Sequence, residues 1–344
     1  AMSLKVTLFG GTGQGKTTFT LALLYQMAAG IDGFRIEAQN ADTATKYLNP
    51  WRDFVIARKW PDPTMGRRED TFSLLFNNEF ITEFRWVDYQ GGAINVPTDE
   101  SDEAAQLHAD IQESNAVIIV ADAFTIATRP RIEAEMLTSS TYIFNLLNTY
   151  KFKEAERGVG LGHGITIALV LTKADILPDE FKENNYQKLF EQARDVFRGV
   201  VNFAEEQRAR TSSLRPWLYP AAMIPVSVAG EGNASVIDPG KGYELATVSL
   251  DNPPDPVNIH YPFLYAIGNE LDRHALYMEE QEEELEARLS RLNRNVLNRI
   301  LRGRTIRQLH EERQAVAEKL AAMEPKIRAV TSVANKKMRS LIPS

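Results

Sequence analysis

The sequence contains no cysteine, which excludes disulfides, thiolate metal sites and cysteine nucleophiles. Histidine is scarce: His108, His163, His260, His274 and His310 are scattered, and a zinc site is not expected. No apolar run reaches the roughly 18 residues of a membrane-spanning helix, so no membrane contact is expected. A signal-peptide pattern is also lacking, which makes a soluble, cytoplasmic protein the expectation. Charge of one sign is not in excess. Lys and Arg number 39 against 46 Asp and Glu, a net charge of −7, so bulk basicity gives no reason to expect nucleic acid. The 344 residues suffice for one large domain with an appendage, or for two domains.

What is present begins at the start of the chain. The apolar run Leu4–Phe9 leads straight into Gly10-Gly11-Thr12-Gly13-Gln14-Gly15-Lys16-Thr17, followed by Thr18. This is a phosphate-binding loop between a strand and a helix. Its glycines let successive backbone N–H groups turn toward one concavity, and the helix that follows adds the field of its N-terminus. Lys16 supplies a mobile positive charge for outer phosphates, and the Thr17 hydroxyl suits a magnesium ion.

Strand-like runs recur near 4–9, 54–57, 82–88, 116–121, 165–171 and 222–227, with helical stretches near 16–29, 102–113, 129–155 and 184–207. The runs at 116–120 and 165–171 are continuously apolar, as in buried strands of a parallel sheet, so the fold class is α/β. Residues 242–259 break this rhythm, with a proline-rich loop over 251–256, and a helix over 262–276 is expected to close a domain spanning 1–276. Residues 277–344 read as a helical tail, acidic at 279–286 and basic from Arg302, forming two long helices broken around Gly303. Three roles fit that tail: packing on the core or forming a helical hairpin, self-association or capture of a protein partner, or binding acidic lipid or nucleic acid. The interspersed glutamates and missing aromatics weigh against the last.

Three further motifs follow in chain order. Asp88-Tyr89-Gln90-Gly91 ends an apolar strand; Asp88 suits magnesium through a water, and the Gly91 N–H suits a terminal phosphate. Thr172-Lys173-Ala174-Asp175 ends another. The Asp175 carboxylate can accept from the N1–H and N2–H₂ of guanine, donors that adenine lacks at those positions. Lys173 would lie along the base with its stem against the phosphate loop. Thr172 can tie that loop to its neighbours by a hydroxyl bond. Last comes Ser227-Val228-Ala229, whose turn can place a backbone N–H near the guanine carbonyl.

The order of these motifs resembles the Ras-like P-loop GTPase superfamily, translation-factor-related class, over residues 3–276. The long spacers and helical tail look more like bacterial GTPase-like proteins related to the double-GTPase domains of defence or signalling gene clusters. The resemblance implies a three-layer P-loop NTPase fold with a mostly parallel central sheet, plus a C-terminal helical extension. It implies a GTP/GDP switch with Mg²⁺, acting on protein partners through its switch loops or its tail. Gly10–Thr18 then bind phosphate; Thr172, Lys173, Asp175 and Ser227–Ala229 bind the base; Thr17, Asp88 and a first-switch threonine serve the metal. That threonine is assigned to Thr64, with Thr43, Thr45 and Thr71 as competitors, and Lys16, Thr64 and Gly91 are the catalytic candidates. Arg67 or Arg68 could serve as an internal arginine finger. One departure stands out: where such enzymes often carry a water-orienting Gln after the glycine, this chain has Gly92, and Gln90 precedes it. Slow or partner-assisted hydrolysis is therefore expected. The alternatives are a GTP-binding scaffold with little hydrolysis, or an ATP-using P-loop enzyme.

Overall fold

The computed structural model describes residues 3–63, 65–95, 101–150, 164–210, 221–293, 303–334 and 339–341. An eight-stranded sheet runs through it in the order β10-β7-β6-β5-β1-β4-β3-β2. Its centre is parallel: β7 (Ala221–Pro225), β6 (Thr166–Thr172), β5 (Ala116–Asp122), β1 (Ser3–Phe9) and β4 (Glu79–Asp88). β3 (Arg68–Phe76), β2 (Phe34–Ala38) and the short β10 (Arg339–Ser340) join antiparallel at the edges. Every residue of β5 and β6 is buried, which matches their unbroken apolar sequences, because helices cover both faces.

On one face α1 (Lys16–Ala29) and α2 (Ala41–Ala57) share a core with α9 (His260–Asn293) and α10 (Gly303–Ala334). The other face carries α3 (Asp102–Glu113), α4 (Ala123–Thr128), α5 (Arg131–Thr138), α6 (Ser140–Asn148), α7 (Asp179–Val196) and α8 (Arg198–Arg210). The result is an α/β fold with a mixed, largely parallel sheet and a long C-terminal helical pair. No helix among the described residues is long and apolar enough to cross a membrane.

Several sequence expectations need correction. Residues 54–57 are the end of α2, not a strand: Tyr47, Trp51 and Phe54 are buried at helical spacing, and the Asn40 side chain caps the start by accepting from the Thr43 N–H. The single helix expected over 129–155 is two short ones, α5 and α6, parted at Ser139, whose φ is +58°; residues 151–155 lie outside the described residues. The helix expected over 184–207 is split between α7 and α8, and α7 itself has non-helical backbone at Glu183–Tyr186. Inside the irregular 242–259 stretch lies β9 (Thr247–Leu250), paired antiparallel with β8 (Ala234–Asp238) as a separate hairpin.

The helix expected over 262–276 does not stop there; α9 runs on to Asn293 without a break at 276/277. α10 then returns along it. A Cβ on Gly268 would stand 3.1 Å from Val330 Cγ1, and Arg313 pairs with Glu282 and Glu286 at 3.4 and 3.3 Å. The chain comes back to the sheet at β10, where Arg194 donates to the Ser340 and Leu341 carbonyls at 2.9 and 3.2 Å.

Candidate functional site

The parallel strands β1, β5 and β6, with β4 beside β1, end together, and their C-terminal loops meet. Between β1 and α1 the chain turns through Gly15, whose φ of +91° is a conformation that side-chain-bearing residues rarely adopt. α1 starts at Lys16 with no side-chain cap and no acid in its first turn, a helix start whose field favours an anion. Lys16 is buried, and its Nζ donates to the Gly10 and Gly11 carbonyls at 2.9 and 2.8 Å. Burial lowers its pKa to about 8, against the opposing pull of the Asp88 carboxylate.

A cavity of about 330 Å³ opens in front of this loop. Thr12, Gly13, Gly15, Lys16, Thr17 and Thr18 line it from the loop side. Gly91 approaches so closely that a Cβ there would stand 2.6 Å from Thr12 Cα and 2.8 Å from its nitrogen, which requires glycine. Thr172, Lys173, Asp175, Val228 and Ala229 line the same cavity from the loops after β6 and β7. The residues the sequence singled out separately are thus brought together. Gly10 and Gly11 stand behind Lys16, Asp88 acts on its charge, and Ser227 supports Asp175.

The Thr172–Asp175 loop is tied to the Gly10–Thr17 loop by short bonds. Thr172 Oγ1 donates to the Gln14 carbonyl at 2.8 Å and to that of Ala121 at 3.1 Å. Lys173, at φ +60°, places its Nζ 2.6 Å from Asp122 Oδ2, a fully buried carboxylate. The other oxygen of Asp122 caps α4 by accepting the Thr125 N–H at 3.1 Å. Asp175 is half-buried; burial raises its pKa, while a hydrogen bond donated by the Ser227 hydroxyl works against that. Ser227 in turn accepts the Gly230 N–H at 2.7 Å.

Not every sequence candidate faces the cavity. The Gln14 side chain is buried the other way: its Oε1 accepts the Asp122 N–H at 2.7 Å and its Nε2 donates to the Leu137 carbonyl at 3.0 Å, leaving only its backbone for a ligand. Arg67 is no free arginine finger, because its guanidinium is held by Asp110, Glu69 and the Tyr89 hydroxyl. Arg68 opens β3 opposite Asp88 in the sheet register. Gln90 is clasped to Gly66, which donates to its Oε1 at 3.2 Å and accepts its backbone N–H at 3.2 Å. Thr64 lies outside the described residues.

Asp122 and the β8–β9 hairpin were not foreseen from sequence, whereas the connection before β3 was expected at the site as the loop of the first switch. Asp122 has a signal that could have found it, since it ends a buried strand as Asp88 does. Trp60, Pro61 and Pro63 line the cavity from the α2–β3 connection. Ala246, Thr247 and Val248 line it from the β8–β9 hairpin, a pairing with no motif to mark it. Among the described residues no group of three His, Asp or Glu is placed to hold a metal by itself. Comparison of the chain with protein-family models and with curated proteins finds no match.

Proposed function

We propose that the cavity binds a guanine nucleotide and that the protein is a Ras-like P-loop GTPase, a switch that converts GTP to GDP and phosphate. One observation carries the reading: an uncapped helix start with a buried lysine and a half-buried aspartate line the same cavity. The first pair suits phosphates through N–H groups and charge. The carboxylate of Asp175 suits the paired donors of guanine, and bonds from such a ligand would favour its charged form.

The oxygen donors Thr17 and Asp88 fit a magnesium ion: Thr17 lines the cavity, and buried Asp88 lies close enough to act on the Lys16 charge. When bound, that ion would supply charge neutralisation on the outer phosphates. The chain's own groups do the rest. Loop N–H groups and Lys16 hold the phosphates and stabilise the negative charge that shifts toward the leaving diphosphate. Gly91, packed against Thr12 at the cavity wall, would offer its N–H to the terminal phosphate. A water oxygen bonds to that phosphorus as its bond to the bridging oxygen breaks, leaving GDP and inorganic phosphate.

Gly92 provides no side chain to orient that water, and the Gln90 amide is engaged by Gly66. This favours slow intrinsic turnover, and it equally supports a second reading, a GTP-binding scaffold that barely hydrolyses. The test is titration with GTP, GDP and ATP, with and without magnesium, followed by single-turnover hydrolysis. The expected result is magnesium-dependent GTP binding with slow release of phosphate. Retained GTP with no product formed selects the scaffold, and no binding of GTP or GDP overturns the proposal. Lys16→Ala should weaken GTP binding by at least about a hundredfold, since it removes a charge-assisted phosphate contact from a dry site.

A further inference from the structure

The β8–β9 hairpin has little of its own to hold it in place. It is two-stranded, with one buried residue, Leu250, in its two strands, and is interrupted by a register shift between Val236 and Asp238. Such a hairpin is marginal alone. Side chains from the body of the protein grip its backbone instead. Trp60 Nε1 donates to the Val248 carbonyl at 2.7 Å. Arg129 Nη2 donates to the carbonyls of Pro239 and Glu244 at 2.6 and 3.1 Å, and Arg58 Nη1 to that of Asp251 at 3.1 Å. The gripped segment is functional in position: Ala246–Val248 line the cavity, and the Leu245 side chain fills the space beside Gly13.

We infer that this hairpin is the outer wall of the nucleotide site and that Trp60 is the positioning residue that holds it shut, so that a bound guanine nucleotide leaves only when the Trp60–Val248 bond breaks. The inference rests on the proposed nucleotide reading and adds the control of its release. Trp60 stands in the α2–β3 connection, the segment assigned to the first switch, beside Pro61 and Pro63 of the cavity wall. A shift of that connection would therefore pull directly on the hairpin backbone. The indole also stacks on Phe54, with ring centroids 5.2 Å apart, so its position is fixed from behind by α2.

The test is dissociation of a fluorescent GDP analogue from the full chain, chased with excess GDP. Trp60→Phe keeps the stacking ring and removes the donor; Arg129→Met releases the far side of the hairpin. Trp60→Phe is expected to speed dissociation about fivefold, the worth of one hydrogen bond, Arg129→Met at least as much because it removes two, and the double variant more than either. Amide hydrogen exchange on the nucleotide-free protein gives a second readout: residues 234–250 should exchange faster in Trp60→Phe while β5 and β6 do not change. A wild-type dissociation rate in Trp60→Phe overturns the role of Trp60, whatever Arg129→Met shows, and leaves the nucleotide site standing. Wild-type protein that binds no guanine nucleotide overturns the site reading, and the wall with it.

Discussion

Asp110 shows how much of the site is held from behind. It is almost fully buried on α3, and it accepts from Lys5 Nζ at 2.7 Å, from Arg67 Nε at 2.6 Å and from the Tyr89 hydroxyl. One carboxylate thus joins β1, the loop before β3 and the residue that follows Asp88. Burial pushes its pKa up, but the bonds from Arg67, Lys5 and Tyr89 outweigh that and hold it at about 2. A depressed carboxylate pKa means stability that is present above the ordinary aspartate range and lost as pH falls toward 2, here about 2 kcal/mol. Asp110→Asn should cost about 3 kcal/mol in urea unfolding at neutral pH, because it leaves Lys5 and Arg67 under-compensated. The gap from wild type should narrow by about 2 kcal/mol as pH approaches 2; a gap that stays constant with pH would show that Asp110 is not the titrating group. Gly91→Ala acts on the site itself. The methyl must displace the Thr12 backbone, so GTP affinity should fall at least about tenfold and the melting temperature by several degrees, as read by titration and a thermal scan.

At the scale of elements, the loop that faces the cavity takes its shape from its neighbours. Gln14 bolts it to the end of β5 and to α5, so Gln14→Ala should weaken GTP binding on the order of tenfold though its side chain faces away from the cavity. An unchanged affinity in titration would show that the loop keeps its shape unaided. The same scale explains what the sequence disclosed. β5 and β6 were legible because both faces are buried and every residue is apolar or small enough to hide. α1 and α3 were legible to the residue, since glycines precede one and Ser101 caps the other. β2 and β3 were not, because they are half-exposed, β2 at the sheet edge and β3 beside it, with charged residues such as Arg35, Glu37 and Asp70 in them. The stretch 54–57 misled because Phe54-Val55-Ile56 favours a strand locally, and only packing of Tyr47, Trp51 and Phe54 on one face decides for the helix. The motif residues were readable since loop chemistry is local; the hairpin wall was not, since it depends on contacts between positions nearly two hundred apart in the chain, Trp60 and Val248.

At the scale of the whole molecule, the charge change near 277 marks a change of surface rather than a break in the chain. α9 crosses it, and Ile327, Val330 and Val333 of α10 are buried in the same core as Phe263 and Leu264 of α9 and Phe19 of α1. A chain ending at 302 should therefore expose that apolar face, melt at least about 10 °C lower and aggregate, because several buried aliphatic side chains at about 2 kcal/mol each lose their cover. An unshifted melting curve would show that the last helix is an independent appendage. The account as a whole turns on one carboxylate. Affinity for GTP and ATP, in magnesium, should be measured on the wild type and on Asp175→Ala. The account predicts a preference for GTP of at least about a hundredfold that Asp175→Ala abolishes while ATP binding stays as it was. Equal or tighter binding of ATP by the wild type, untouched by the substitution, would contradict it.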